Sequence, residues 1–193
     1  MIDFSNQIIQ IFEQSVDTIK KSTSLTSDIN NAINLITDSI KNGNKLIIFG
    51  NGGSAADAQH IAAELIGRFK LERNSFPAIA LTTDTSILTS LGNDYSYDII
   101  FSRQCESLVV KKDIVMGIST SGNSKNVELG MITAQKIGAK TIGLLGHDGG
   151  VIKSVSDISI IVNSDDTAHI QESHRVIYHI ICDLVEKQLS EKL

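Results

Sequence analysis

The stretch Lys45-Leu46-Ile47-Ile48-Phe49-Gly50-Asn51-Gly52-Gly53-Ser54 constrains the fold more than any other part of the chain. A short continuous apolar run bounded by a lysine and by glycines reads as a strand buried on both faces, as in a parallel sheet covered by helices. The glycines then let the backbone turn sharply and approach a ligand closely. Ser54 suits the N-cap of a helix running through Ala55, Ala56, Ala58, Ala62 and Ala63. Strand, glycine turn and helix start together offer free backbone N–H groups to an anion. The turn is neither a Walker loop, since no Gly-Lys-Ser/Thr follows, nor a dinucleotide fingerprint. His60 and Glu64 stand four apart on that helix and share a face. Alone, the turn reads equally as a tight connection and the pair as a solvated one.

The remaining pattern alternates helices with apolar runs. Residues 4–22 and 28–42 have helical periodicity, and Asn42-Gly43-Asn44 ends the second helix. These two helices either flank a sheet or build a subunit interface. Strands are expected at Phe76–Leu81, Asp113–Ile118, Thr141–Leu145 and Ile158–Val162. A short helix from Thr85 to Leu91 is expected to break at Gly92-Asn93-Asp94, and residues 97–110 to be helical again. Further helices are expected from Ser124 to about Ile137, in a short piece over 151–155, and from about Ala168 to Leu189 after Asp165 and Asp166, which suit its cap. The alternation predicts an α/β fold with a five-stranded parallel sheet in one domain, 1–193. Helices over 1–43 precede a core over 44–193.

At 193 residues such a chain supports a full core without disulfides. Cys105 and Cys182 form no CxxC and read as reduced core thiols of a cytosolic protein. The net charge of -5 argues against nucleic acid, although neutral donors can still hold a phosphate. The N-terminal residues lack a secretory pattern, and no apolar run is long enough for a membrane span.

Ligands of parallel sheets sit beyond the carboxyl ends of the strands. Ser119-Thr120-Ser121-Gly122-Asn123-Ser124 is expected there, with four hydroxyls at a helix start, a pattern suited to a phosphate monoester. Asn93 and Asp94 suit sugar hydroxyls or a simple turn. On the last helix Val176, Ile177, Ile180, Ile181, Leu184 and Val185 form an apolar stripe. Gln171, Arg175 and His179 fall on the other side, solvated in a monomer unless a neighbouring subunit covers them. His174, at the edge of the stripe, reads as a packed or surface histidine, and His147 as a loop residue. His60, Glu64, Gln171 and His179 are a suitable donor set for zinc if the fold brings them together, which spacing alone does not establish. A His–carboxylate pair also serves general acid–base work without a metal.

The glycine turn with His60 and Glu64, the Gly92-Asn93-Asp94 stretch, the 119–124 loop, and Ile170-Gln171-Glu172 with His179 together resemble the sugar isomerase (SIS) family. Within it they resemble the phosphoheptose isomerases, over nearly the whole chain. The resemblance implies a three-layer sandwich around a flavodoxin-like sheet, with a helical N-terminal extension and a long C-terminal helix. It implies a cytoplasmic homotetramer with active sites between subunits, converting sedoheptulose 7-phosphate to D-glycero-D-manno-heptose 7-phosphate. That reaction opens the route to ADP- or GDP-heptose for lipopolysaccharide or other surface glycans. By motif match the resemblance implies one zinc per subunit on His60, Glu64, Gln171 and His179. It places substrate contacts on Asn51, Gly52, Gly53, Glu64, Asn93, Asp94, Ser119, Thr120, Ser121, Ser124 and Gln171. The catalytic pair it implies is Glu64 and His179, with Glu64 assigned as base and His179 as acid. His169 and Ala168 depart from the family pattern, which often has Arg and in some members Asp at these two positions. The alternative is a non-catalytic SIS protein that binds the replication initiator DnaA, and it resembles this chain less at His179, where that relative carries Asn.

Overall fold

The computed structural model describes residues 2–190; the first residue and the last three of the expected domain lie outside them. Helix α1 (Ser5–Lys21) passes through a 3-10 turn into α2 (Thr26–Lys41). Then come β1 (Leu46–Gly50), α3 (Gly53–Ile66), β2 (Ala78–Ala80), α4 (Thr85–Asp94), α5 (Ile100–Leu108), β3 (Ile114–Ser119) and α6 (Lys125–Ile137). The chain continues through β4 (Lys140–Gly146), β5 (Ile158–Val162) and the long α7 (Thr167–Ser190). The five strands lie in the order β2-β1-β3-β4-β5 and every pairing is parallel.

Period-two alternation explains the three layers. Leu46, Ile48, Met116, Ile118, Ile142 and Leu144 point to one face, under α2, α3 and α7. Ile47, Phe49, Val115 and Leu145 point to the other, under α4, α5 and α6. All five residues of β1 and all six of β3 are buried, as a continuous apolar run requires when both faces are covered. Burying each such large aliphatic side chain contributes about 1.5–3 kcal/mol. On the second face Phe49 stacks on Phe101 with ring centroids 4.8 Å apart. The order of the strands reverses direction between β1 and β3, so the crevice at the carboxyl ends of this pair is where a sheet of this kind takes its ligand.

Local details differ from the sequence expectations. Ser54 is not the N-cap of α3. Gly52, with φ of 55°, takes that place, the helix begins at Gly53, and Ser54 is buried in its first turn. Gly92 does not break α4, which runs through Asn93 to Asp94 and is started by the Asp84 carboxylate accepting the Ile87 N–H at 2.9 Å. Only three residues of the expected second strand pair as β2. Asp166 does cap α7, its Oδ1 accepting the N–H groups of Ala168 and His169. Of the two leading helices, α2 flanks the sheet while α1 buries no residue and lies along α7, where Ser15 donates to Glu172 at 2.6 Å. Phe4 at its N-cap and Ile8, Ile11, Phe12 and Val16 of α1 are all exposed. The α7 stripe divides: Ile177, Ile181 and Val185 enter the core, while Val176, Ile180 and Leu184 stay accessible.

Candidate active site

The crevice is built from two helix starts and two helix faces. The turn after β1 leads into α3 and the loop after β3 leads into α6, so two neighbouring strands deliver two sets of free N–H groups to one edge. In the second loop the hydroxyls of Ser119 and Ser124 are 3.0 Å apart and those of Ser119 and Ser121 are 3.4 Å apart. Ser124 sits at the N-cap of α6 without a side-chain capping bond. The Ser121 hydroxyl accepts the Asn123 N–H. Thr120 is half-buried beside them. Gly122 holds φ of 67° with its carbonyl accepting the Ile152 N–H, and a Cβ there would meet the Gly149 backbone at 2.3 Å. The loop is therefore fixed from behind by residues 149–152.

The first loop is braced against α6. Asn51 and the buried Asn126 exchange two amide hydrogen bonds of 2.9 Å, and Tyr97 donates to Asn51 Oδ1 at 3.2 Å. Gly53 is open to the end of α7. A Cβ at Gly53 would stand 2.5 Å from Gln171 Nε2 and 3.1 Å from Gln171 Oε1, so the Gln171 amide rests on the loop backbone. Gly52 is exposed next to it.

Behind the loops, α3 and α7 bring His60, Glu64 and His179 together. One ligand atom from each lies within 4.8 Å of the others. His60 Nε2 is 2.9 Å from Glu64 Oε1, and the His60 and His179 rings meet edge to face with centroids 5.1 Å apart. Burial, and then the closeness of His60, hold the His179 pKa below the usual histidine value, which favours the neutral ring that a metal or an incoming proton needs. Two imidazoles and a carboxylate at this separation fit a zinc-type donor set. The sequence placed Gln171, Arg175 and His179 on a solvated side that needed another subunit as cover. Within the chain α3 meets all three, leaving Gln171 and His179 partly accessible while Arg175 stays exposed.

Asn93 and Asp94 end α4, exposed, with the Asn93 amide donating to Asp94 Oδ1 at 2.8 Å. Among the described residues no hydrogen bond ties either to the two loops, although Tyr97, three residues after Asp94, reaches Asn51.

The SIS domain family matches residues 8–146. A phosphoheptose isomerase of Citrifermentans bemidjiense is 60% identical over 168 residues, covering 87% of this chain and 88% of the relative. One from Geobacter sulfurreducens is 52% identical over 98% of this chain and 99% of its own. The solved phosphoheptose isomerase GmhA of Neisseria gonorrhoeae superposes with a TM-score of 0.91 at 38% identity, over 96% of this chain and 100% of that one. The chain belongs to the phosphoheptose isomerase family. As a member of the phosphoheptose isomerases it is an enzyme, an isomerase, and the expected three-layer SIS architecture is the one observed.

Several functional neighbours in this phosphoheptose isomerase fold were missed by sequence reasoning. Tyr178 is fully buried between the two site helices, its hydroxyl 3.1 Å from His60 Nδ1 and 3.3 Å from Asp57 Oδ1. Burial and the Asp57 charge push the phenol up to about 12, so it keeps its proton. Asp57, itself buried, also accepts from Arg175 at 3.2 Å. Asp57 precedes His60 by one helical turn, the one signal that could have found it. Phe69 stacks on His179 from a loop held by Glu186. Nothing in the local pattern marks Phe69 or Glu186.

Proposed function

We propose that the chain converts sedoheptulose 7-phosphate to D-glycero-D-manno-heptose 7-phosphate, the first step toward ADP- or GDP-heptose for lipopolysaccharide or a related surface glycan. The observation that carries this reading is the meeting of His60, Glu64 and His179 at the edge of two anion-suited loops. Ser119, Thr120, Ser121 and Ser124 take the phosphate at the α6 start. Asn51, Gly52, Gly53, Asn93 and Asp94 take the sugar chain, with the Gln171 amide, which rests on Gly53, reaching the same chain of hydroxyls.

The isomerisation moves one proton from C1 to C2 through an enediol. Glu64 takes the C1 proton and returns it to C2. His179, neutral at rest, takes up the proton of the O1 hydroxyl and delivers a proton to the O2 carbonyl oxygen. Glu64 Oε1 already faces His60, which leaves Oε2 for the carbon acid. General acid–base groups of this kind are worth roughly 10²–10⁴ in rate. His60, Glu64, Gln171 and His179 are the residues that would hold one zinc per subunit. When bound, the ion supplies a positive charge that stabilises oxyanion character at the substrate oxygen.

The exposed apolar face of α1 and the accessible half of the α7 stripe support a homotetramer whose subunits cover one another's crevices. No helix among the described residues is long and apolar enough to cross a membrane, which fits the cytoplasmic placement proposed here, and the one-domain SIS reading of 1–193 is kept as part of it. The test is incubation with sedoheptulose 7-phosphate, with and without chelator, watching for the aldose. Turnover lost on chelation and restored by zinc is the expected result. No turnover by folded, zinc-loaded protein would sink the assignment.

A further inference from the structure

The hydrogen bonds around Tyr178 have a direction that follows from counting protons. Its hydroxyl lies between two groups, Asp57 Oδ1 at 3.3 Å and His60 Nδ1 at 3.1 Å. A phenol carries one proton, and a carboxylate can only accept. Asp57 is 2% exposed, and the same Oδ1 accepts from Arg175 at 3.2 Å, so it faces Tyr178 as an acceptor. The Tyr178 proton therefore goes to Asp57. The phenol oxygen is left to accept, and the group facing it must be His60 Nδ1–H. A neutral His60 ring bonded in this way has its lone pair on Nε2.

That lone pair looks straight at another. His60 Nε2 is 2.9 Å from Glu64 Oε1, and His179 closes the third side. In this tautomer these are two acceptor atoms, which repel at this distance unless a proton or a metal cation lies between them. A histidine that ligates a metal almost always has its other ring nitrogen donating to a fixed acceptor, which sets tautomer and ring plane. Here that acceptor is a buried tyrosine rather than a carboxylate, and the carboxylate stands one step behind it.

We propose that Tyr178, oriented by Asp57 and Arg175, is a positioning residue that fixes the His60 ring with Nδ1–H engaged and Nε2 presented to a divalent cation shared with Glu64 and His179. The inference rests on the zinc reading above and extends it to residues that touch neither ion nor substrate. It also accounts for a carboxylate buried on α3 one turn before His60, which the core does not need.

The experiment measures zinc affinity of the full chain by competition with a chromophoric chelator, for the wild type, Tyr178→Phe and Asp57→Asn. Long-range 1H–15N spectra of the zinc-loaded proteins report the His60 tautomer. Phe keeps the buried ring volume, and thermal melts confirm that both variants fold. Tyr178→Phe is expected to bind zinc about 10–100-fold more weakly. Its His60 Nδ1–H signal should broaden or split, and Asp57→Asn should shift both readouts the same way. Folded variants with wild-type zinc affinity and an unchanged His60 spectrum would overturn the positioning role. A wild-type protein that binds no zinc would instead overturn the zinc reading, and this inference with it.

Discussion

Phe69 lies nearly parallel to His179, with ring centroids 5.7 Å apart and planes 22° from parallel. It stacks on the proposed acid, and it is held there by α7. The buried Glu186 carboxylate accepts the N–H groups of Phe69, Lys70 and Leu71 at 2.7–2.9 Å and the Arg73 guanidinium at 2.9 Å. Arg73 in turn donates to the carbonyls of Leu65 and Glu64. One α7 carboxylate thus closes the loop that leaves α3 and sets the position of a ring on the site.

Glu186→Gln should cost about 3–5 kcal/mol, because it leaves the buried Arg73 charge without its partner. Turnover should fall as well, since Phe69 loses its anchor, and denaturant titration beside steady-state rates checks both. Burial pushes the Glu186 pKa up, but the three N–H groups and Arg73 outweigh it and hold the group below the usual glutamate value. Its contribution is therefore full at neutral pH and is lost as pH falls from about 4.3 through the lower folded value.

The glycines at 53 and 122 should respond oppositely to alanine. At Gly53 the new methyl meets only the movable end of Gln171, so stability should change by less than about 1 kcal/mol. Activity should nevertheless drop tenfold or more as that amide is displaced. At Gly122 the methyl meets the Gly149 backbone in a left-handed conformation that itself costs about 1–3 kcal/mol. That variant should melt well below the wild type. Paired melting curves and rates separate the two outcomes.

His174 makes stability depend on pH in a separate window. It is fully buried, with Nε2 3.0 Å from the Leu145 carbonyl oxygen and Nδ1 without a partner among the described residues. Burial lowers its pKa to about 4. The unfolded chain takes up a proton below about 6.5 and the folded one only near 4, so stability falls as pH drops across that interval. The loss should reach roughly 3 kcal/mol at the acid end. Urea midpoints between pH 7 and 4 should show it, and His174→Asn should flatten that part of the profile.

His179→Asn should lower kcat at least about 100-fold while α7 stays docked, because the substitution removes the proposed proton donor and metal donor from a half-buried position. Rates and circular dichroism on the same preparation decide it. Persistent turnover would move the acid role to another group.

The sheet was legible because parallel strands buried on both faces read as unbroken apolar runs, and β5 falls on the residues expected, Ile158–Val162. His60 and Glu64 were legible because helical spacing is local. The start of α3 was not, because Gly52 at positive φ caps the helix two residues ahead of the serine that looked like its cap. Gly92 misled for a related reason: a glycine costs about 1 kcal/mol in a helix, and α4 carries it behind a good Asp84 cap. Tyr178 and Asp57 stayed hidden because a helical wheel tells which residues share a face but not which helix that face will meet. The approach of α3 to His179 was hidden on the same ground, since the two are distant in sequence.

That separation gives the site a clock. His60 and Tyr178 are 118 positions apart, and at about 5–20 residues per second the ribosome takes roughly 6–24 s to cross them. Throughout that interval a growing chain already has its glycine turn, and soon its phosphate loop, but only half of its proton-transfer set. If His179 is the acid proposed above, a chain ending short of α7 should show no turnover at all rather than slow turnover. On that reading, measured activity would count finished molecules.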